Sequence, residues 1–258
     1  MAPVVSRSSA IARVLLHKAW LETRARFTAS AIVLALLGAS TVFRAIPTIE
    51  GWEALHAGET MPYPLYVWLS LSHGYLMFFW LICAVILGLG GLVREQALGT
   101  AGFTLSLPVS RSALVGSRAL VGAAEALVLA LIPGLLVALL SPLIGREYAL
   151  SQALGFGVLM GCGGMGFYAL GFLLSHLLRG EYAAPGVGLA VTAAVYVVAK
   201  VPELSPWDPF TLMTGSEYMV EGRYLLGATF PTLSLLGCLA ISAMLATVSH
   251  AIVRRHEF

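Results

Sequence analysis

The chain has 258 residues, of which 59% are hydrophobic and 11% charged, with a formal net charge of +2. Soluble domains carry about 25% charged residues, and less than half that share cannot cover the surface of a globule of this size. An ordinary cytosolic enzyme, a disordered tail and a nucleic-acid binder are excluded, leaving an integral membrane protein.

From the start, Arg7, Arg13, Lys18, Arg24 and Arg26 are mixed with short apolar groups, a pattern unlike a cleavable signal. Across Ser8–Arg26 one helical side carries Ile11, Val14, Leu15 and Ala19, and another carries Arg13, His17 and Arg24. This predicts an amphipathic helix lying along the inner headgroup layer, with Trp20 at the interface. A solvated basic leader is the alternative.

Six stretches then reach the roughly 20 apolar residues that a span needs: Phe27–Ile46, Leu65–Val93, Ala119–Leu140, Leu150–Leu174, Tyr182–Val201 and Tyr224–Val253. The expected fold is an all-α integral membrane bundle, one transmembrane domain over residues 1–258. The second and sixth stretches exceed the hydrocarbon thickness, which predicts tilt or protrusion. Arg44 sits near the outer end of the first and snorkels.

With both termini inside, the cytoplasmic set is the five N-terminal cations with Arg94, Arg111, Arg118, Arg179, Arg254 and Arg255. Only Arg44, Arg146, Lys200 and Arg223 fall outside, together with Glu50, Glu53, Glu59, Glu147, Glu203, Asp208, Glu217 and Glu221. This asymmetry predicts N-in, C-in.

Between the second and third spans, on the inner side, lies Arg94–Arg111. Gly99-Thr100 interrupts the emerging helix, Phe103, Leu105 and Leu107 form a short apolar-faced segment, Pro108 breaks it, and Ser110 caps the next helix. Apolar knobs and a cation on a compact elbow predict a docking site for another protein.

Glu95, Gly99-Thr100 and Leu107-Pro108-Val109-Ser110-Arg111 together resemble the cytoplasmic coupling segment of type-2 ABC exporter permeases. The amphipathic N-terminal helix, the six spans and Ser205-Pro206-Trp207-Asp208-Pro209-Phe210 before the last span agree with that family. Arg118 stands where the family often has Lys, which keeps the charge. The resemblance implies that Thr100–Arg111 touches a separate ATPase, present in two copies and holding ATP and Mg, and that a second permease chain, identical or related, completes the path. It also implies a plasma-membrane location, the inner membrane of a bacterium, an exit-side cap built from Pro206, Trp207, Pro209 and Phe210, and no cofactor or metal in this chain. No nucleic acid is expected as a partner.

No G-x-x-x-x-G-K-[ST] occurs, so the chain does not cradle ATP by the usual loop. Gly161-Cys162-Gly163-Gly164-Met165-Gly166 fits a dinucleotide string but lies mid-span with no preceding strand. With Gly155, Gly157 and Gly171 it reads either as close helix packing or as a hinge. Cys83, Cys162 and Cys238 lie apart in apolar runs and make neither a disulfide framework nor a zinc spacing.

Polar groups within spans are expensive. Glu125, seven residues after Arg118, reads as paired to a cation at the inner boundary or as a proton or substrate contact. His73 reads as bonded to a carbonyl rather than as a ligand, and His250 as interfacial. Ser72, His73 and Tyr75, with Thr192 and Tyr196, are candidates to line a substrate path; the alternative for Thr192 and Tyr196 is a bond to helix carbonyls. The proline- and acid-rich Pro202–Gly222 reads as short interfacial or re-entrant helices or as an ordinary loop, and Pro47–Pro64 as a second cover.

The function expected is export of a lipid, drug or hydrophobic peptide, since few fixed charges serve a small ion. An intramembrane protease is the rival, but Gly-x-Ser-Gly and H-E-x-x-H are both absent, and Ser175-His176 lacks such a motif. A non-transporting assembly or sensor subunit is the third possibility.

Overall fold

The computed structural model describes residues 5–56, 58–89, 110–178, 183–201, 203 and 208–255. Its helices in chain order are α1 (Val5–Phe43), α2 (Ala45–Leu55), α3 (Tyr63–Leu71), α4 (Tyr75–Leu87), α5 (Arg111–Leu140), α6 (Leu150–Gly163), α7 (Met165–Leu177), α8 (Ala183–Val198), α9 (Pro209–Thr214) and α10 (Thr232–Arg255). Among the described residues five helical stretches are long and apolar enough to cross a membrane: Ile11–Phe43, Tyr63–Leu87, Ser112–Ile144, Leu150–Leu177 and Thr232–Val253. The apolar Ala183–Val198 is shorter.

The separate in-plane helix expected over Ser8–Arg26 is instead the first part of α1, one continuous helix of 39 residues, about 58 Å long. No Gly or Pro interrupts it before Gly38, and one buried stripe runs its length: Leu15, Ala19, Thr23, Ser30, Leu34, Thr41 and Val42. Leu15 and Ala19 turn into the bundle while Ile11 and Val14 stay exposed. The stripe packs chiefly on α5, and the two helices close up where Gly38 meets Pro133. That proline sits inside α5 and lacks the N–H its turn would use.

The second span is two helices rather than one long one. It breaks at Ser72-His73-Gly74, so its apparent excess of length is absorbed by the break. The fourth is interrupted at Gly164, where the absent side chain leaves room for the Trp80 ring. Trp80 is fully buried and donates from Nε1 to the Ala126 carbonyl at 3.0 Å. The last span starts at Thr232, not Tyr224. Residues 224–230 are non-helical because Val220 N–H bonds the Leu225 carbonyl at 2.9 Å and Gly227 N–H bonds the Tyr218 carbonyl at 2.8 Å, a turn closed across Met219 and Leu226.

Of the glycines between 155 and 171, several are packing contacts. A Cβ at Gly157 or Gly161 would press on Leu131, Ala130 or Leu127 of α5, and one at Gly171 on the Val85 backbone of α4. The bundle has a basic end, where Leu15, Leu114, Val115, Phe172 and Val253 from α1, α5, α7 and α10 cluster. At the opposite end Phe156, Leu159, Leu212 and Leu235 gather beneath the 216–227 turn.

Candidate functional site

Most of the expected coupling segment, with Glu95, Gly99, Thr100, Phe103, Leu105, Leu107 and Pro108, lies outside the described residues, as does the side chain of Arg111. Its flanks are the end of α4 and the start of α5. Ser110 stands at the N-cap of α5 and its hydroxyl accepts from the Ala113 N–H at 3.2 Å, the role that its residue type favours.

Both flanks are held by α1. Arg26 donates from Nη1 to the Ile86 carbonyl at 3.2 Å and to the Leu89 carbonyl, binding the carbonyl end of α4, where a cation is electrostatically favoured. One turn earlier Glu22 accepts from Arg118 Nε at 2.8 Å and lies 2.8 Å from its Nη2, while Lys18 flanks Glu22 at 3.0 Å. Between these contacts Thr23 Oγ1 donates to Glu125 Oε1 at 2.5 Å. Glu125, Thr23 and Arg118 are all buried. Tyr168 of α7 closes the joint, donating to the Ala119 carbonyl at 3.0 Å.

Glu125 thus takes a hydroxyl partner from 102 positions away, and Arg118 pairs with Glu22 instead. Nothing in local spacing points to Thr23. The signal for Glu22 was available as an acid inside an otherwise basic leader. Thr23→Val keeps the shape but leaves the buried carboxylate without its donor. We expect a loss of about 1.5–3 kcal/mol, read as a lowered thermal midpoint in detergent, with Thr23→Ser close to the parent.

The expected path residues divide into two groups. Ser72 is buried and, with Tyr148, lines a cavity of about 20 Å³ between α3, α5 and α6, room for about one water. Tyr148 lies outside the spans, and burial pushes its phenol above the usual range, with the Tyr63 phenol adding to the shift. His73 is exposed with its ring 5.0 Å from that of Trp68. The Tyr75 hydroxyl pairs with Thr41 Oγ1 at 2.8 Å. On α8, Thr192 is buried and donates to its own helix carbonyl at Gly188, at 2.8 Å. Tyr196 packs between Phe78 and Phe210, with centroids at 5.3 and 5.1 Å, beneath the Lys200 ammonium. Phe78, one turn on from Tyr75, therefore meets Tyr196, while Ser72 faces away toward α5 and α6.

Of the expected cap, Pro206 and Trp207 lie outside the described residues. Pro209 opens α9 behind Asp208, whose carboxylate accepts from the Phe210 N–H at 2.8 Å and from Thr211 Oγ1 at 3.2 Å. An Asp cap followed by Pro at the first helical position is a start signal that the sequence carries openly. Gly215, at φ +68°, ends α9 in a conformation that suits glycine. Phe210 is buried against Phe167, 5.4 Å between centroids. Gln152 of α6 ties down the following turn, accepting from the Leu226 N–H at 2.7 Å and donating to its carbonyl at 3.3 Å. No sequence pattern marks Gln152 for that task.

Residues 59–253 match a family model described as ABC-2 family transporter protein. A bundle of this architecture carrying that match over most of its length is the membrane component of an ATP-binding cassette transporter. The chain belongs to the ABC-2 transporter membrane family and is an integral membrane permease, a type of subunit that is not itself catalytic. Compared with curated protein sequences, it matches none.

Proposed function

We propose that the chain crosses the membrane six times with both termini cytosolic, and that two such permeases and two copies of an ATPase subunit export an amphipathic substrate. The ATPase subunits hold the ATP and Mg. The observation that carries this reading is the joint at the basic end, where Arg26 grips the end of α4 and Glu22 and Thr23 grip the start of α5. A displacement of residues 90–109 by the ATPase then moves α1, α4 and α5 as one body, rather than swinging a loop. The permease family supports a cassette ATPase as the partner.

The sixth crossing is α8, whose 16 residues extend about 24 Å. It packs on α4 and α7, and its Lys200 reaches Asp208 at 3.4 Å, as a snorkelling cation at a helix end does. The distribution of Lys and Arg sets the orientation. A single cysteine at Ser8 is expected to label only from the cytosolic face and one at Glu217 only from outside; the reverse pattern would overturn the topology. Pairing of Phe78 with Tyr196 makes the α4–α8 seam, with Tyr75 and Thr192 nearby, the wall we assign to the substrate path.

With the ATPase co-purified, Pro108→Ala and Arg111→Glu are expected to lower substrate-stimulated ATP turnover by about tenfold or more, while the isolated chain hydrolyses no ATP. Unchanged partner binding and turnover in both variants would sink the coupling assignment. Substrate flux in sealed vesicles separates a transporter from an assembly subunit.

A further inference from the structure

Helices α8 and α10 both pack on α7 but make little contact with each other, and the space between them is a cleft of about 680 Å³. That volume suits a drug-sized ligand. Phe167, Leu170, Val191, Val195, Ile241 and Leu245 form its walls. Along α10 it runs from Ser234 to Leu245, about 16 Å at the helical rise, or roughly half of a 30 Å hydrocarbon core.

The floor is what distinguishes this cleft from a packing seam. Gly166 and Gly237 line it, and a Cβ on either would meet nothing within 4 Å. Glycine in a helix costs about 1 kcal/mol against alanine. At Gly157, Gly161 and Gly171 close helix contact offsets that cost, whereas at these two positions the glycines leave space. Polar lining groups gather at the α9 end: Asp208, Thr211, Glu217, Tyr218 and Ser234. Among the described lining residues two are carboxylates and none is a cation. Lys200 balances Asp208 at 3.4 Å, and Glu217 is exposed.

We propose that this cleft binds a single-chain cationic amphiphile, its alkyl chain on the glycine floor and its ammonium head at the exposed Glu217 carboxylate. The Asp208 side chain is buried, caps α9 and is paired with Lys200. An apolar slot one leaflet deep takes the chain, and a mouth with net negative charge selects the head. An anionic head of equal size meets repulsion instead. The site belongs to this chain by itself and stands apart from the export reading; its failure would leave the permease assignment intact.

Cys238 lines the cleft and is a free thiol, so its modification reports occupancy. The full-length chain, with Cys162→Ala to isolate the signal, is placed in phosphatidylcholine nanodiscs and treated with N-ethylmaleimide. Dodecyltrimethylammonium, dodecyl sulfate or tetramethylammonium is added below micellar concentration, and modification of the Cys238 peptide is followed by mass spectrometry. Dodecyltrimethylammonium is expected to slow labelling, with dodecyl sulfate at least about fivefold weaker, the ratio of a 1 kcal/mol charge contact; tetramethylammonium, lacking the chain, is expected to have no effect. Gly166→Leu, which fills the glycine floor, should abolish protection measured against its own ligand-free rate. Glu217→Gln, at an exposed position that leaves the fold alone, should narrow the gap between the two dodecyl compounds. Equal protection by both dodecyl compounds would reveal an ordinary lipid-facing groove and overturn the proposal. So would an absence of protection by the cationic one, or an unchanged charge preference in Glu217→Gln.

Discussion

Gly74→Ala is expected to be among the most damaging single-methyl additions in the chain. The break between α3 and α4 turns the backbone so sharply that a Cβ at Gly74 would lie on the Leu69 carbonyl oxygen and inside contact with that of Ser70. Those are main-chain atoms of the preceding helix, so no rotamer change relieves the overlap. The α3–α4 angle must open, pulling Ser72 from its buried place and Trp68 Nε1 from the Thr214 carbonyl it reaches at 2.9 Å. A cost near 3 kcal/mol, the upper end for overpacking, should appear as a large fall in thermal midpoint or a loss of monodisperse protein. Gly51→Ala is the contrast. It lies within α2, where a Cβ meets nothing within 4 Å, and should gain about 0.5–1 kcal/mol. Equal tolerance of the two substitutions would show that the break is not built as described.

Gly171→Val acts on the seam between α4 and α7. A Cβ there would stand 2.6 Å from the Val85 carbonyl oxygen, and one on Gly88 would stand 2.5 Å from Phe172 N and 2.7 Å from the Tyr168 oxygen. The two helices meet backbone to backbone at this crossing, as small residues allow in membranes, where association depends on packing rather than on expulsion of water. A branched side chain must separate them, and α4 precedes the segment we propose to couple to the ATPase. We expect destabilisation of about 3 kcal/mol and, at temperatures where the fold survives, loss of substrate-stimulated ATP turnover by the complex. Gly166→Ala, five positions earlier and facing open space, should be neutral or slightly stabilising. A variant that lost stability but kept full stimulation would remove the α4–α7 seam from the coupling route.

The joint of Glu22, Thr23, Arg26, Arg118 and Glu125, in which Thr23, Arg118 and Glu125 are buried, would give the proposed coupling route its stiffness. Charges removed from water are costly unless paired and hydrogen-bonded, so a shift of α4 or α5 that left α1 behind would expose that cost. Moving together avoids it. Along α1 the same rigidity reaches Thr41, whose hydroxyl meets Tyr75 and whose carbonyl accepts from Tyr66 at 2.8 Å. The basic end is thereby joined to the break at Ser72–Gly74.

How far the sequence reached differs by feature. Long apolar runs separated by charged or proline-bearing stretches fix where helices lie, because a backbone in hydrocarbon must satisfy its hydrogen bonds within the helix. That logic located the bundle and the Ser110 cap, and it singled out Glu125, Ser72 and Thr192, which are buried, together with His73 and Tyr75, which are exposed. It was blind to the interruptions at Gly74 and Gly164, since an apolar run scores alike whether straight or bent. It also extended the last span back to Tyr224, where residues are apolar enough for a helix but Gln152 holds the chain in a turn.

Composition and the spacing of charges, then, determined by themselves that this chain lives in a membrane, and the motif between the second and third spans pointed to its class. Only the tertiary structure decided that the basic leader continues into the first span, that Glu125 answers to Thr23, and which glycines pack and which leave a cleft open. The physical reason is range. Solvent preference and helix capping act within a few residues, whereas steric contact and the pairing of buried polar groups are settled between groups more than a hundred positions apart.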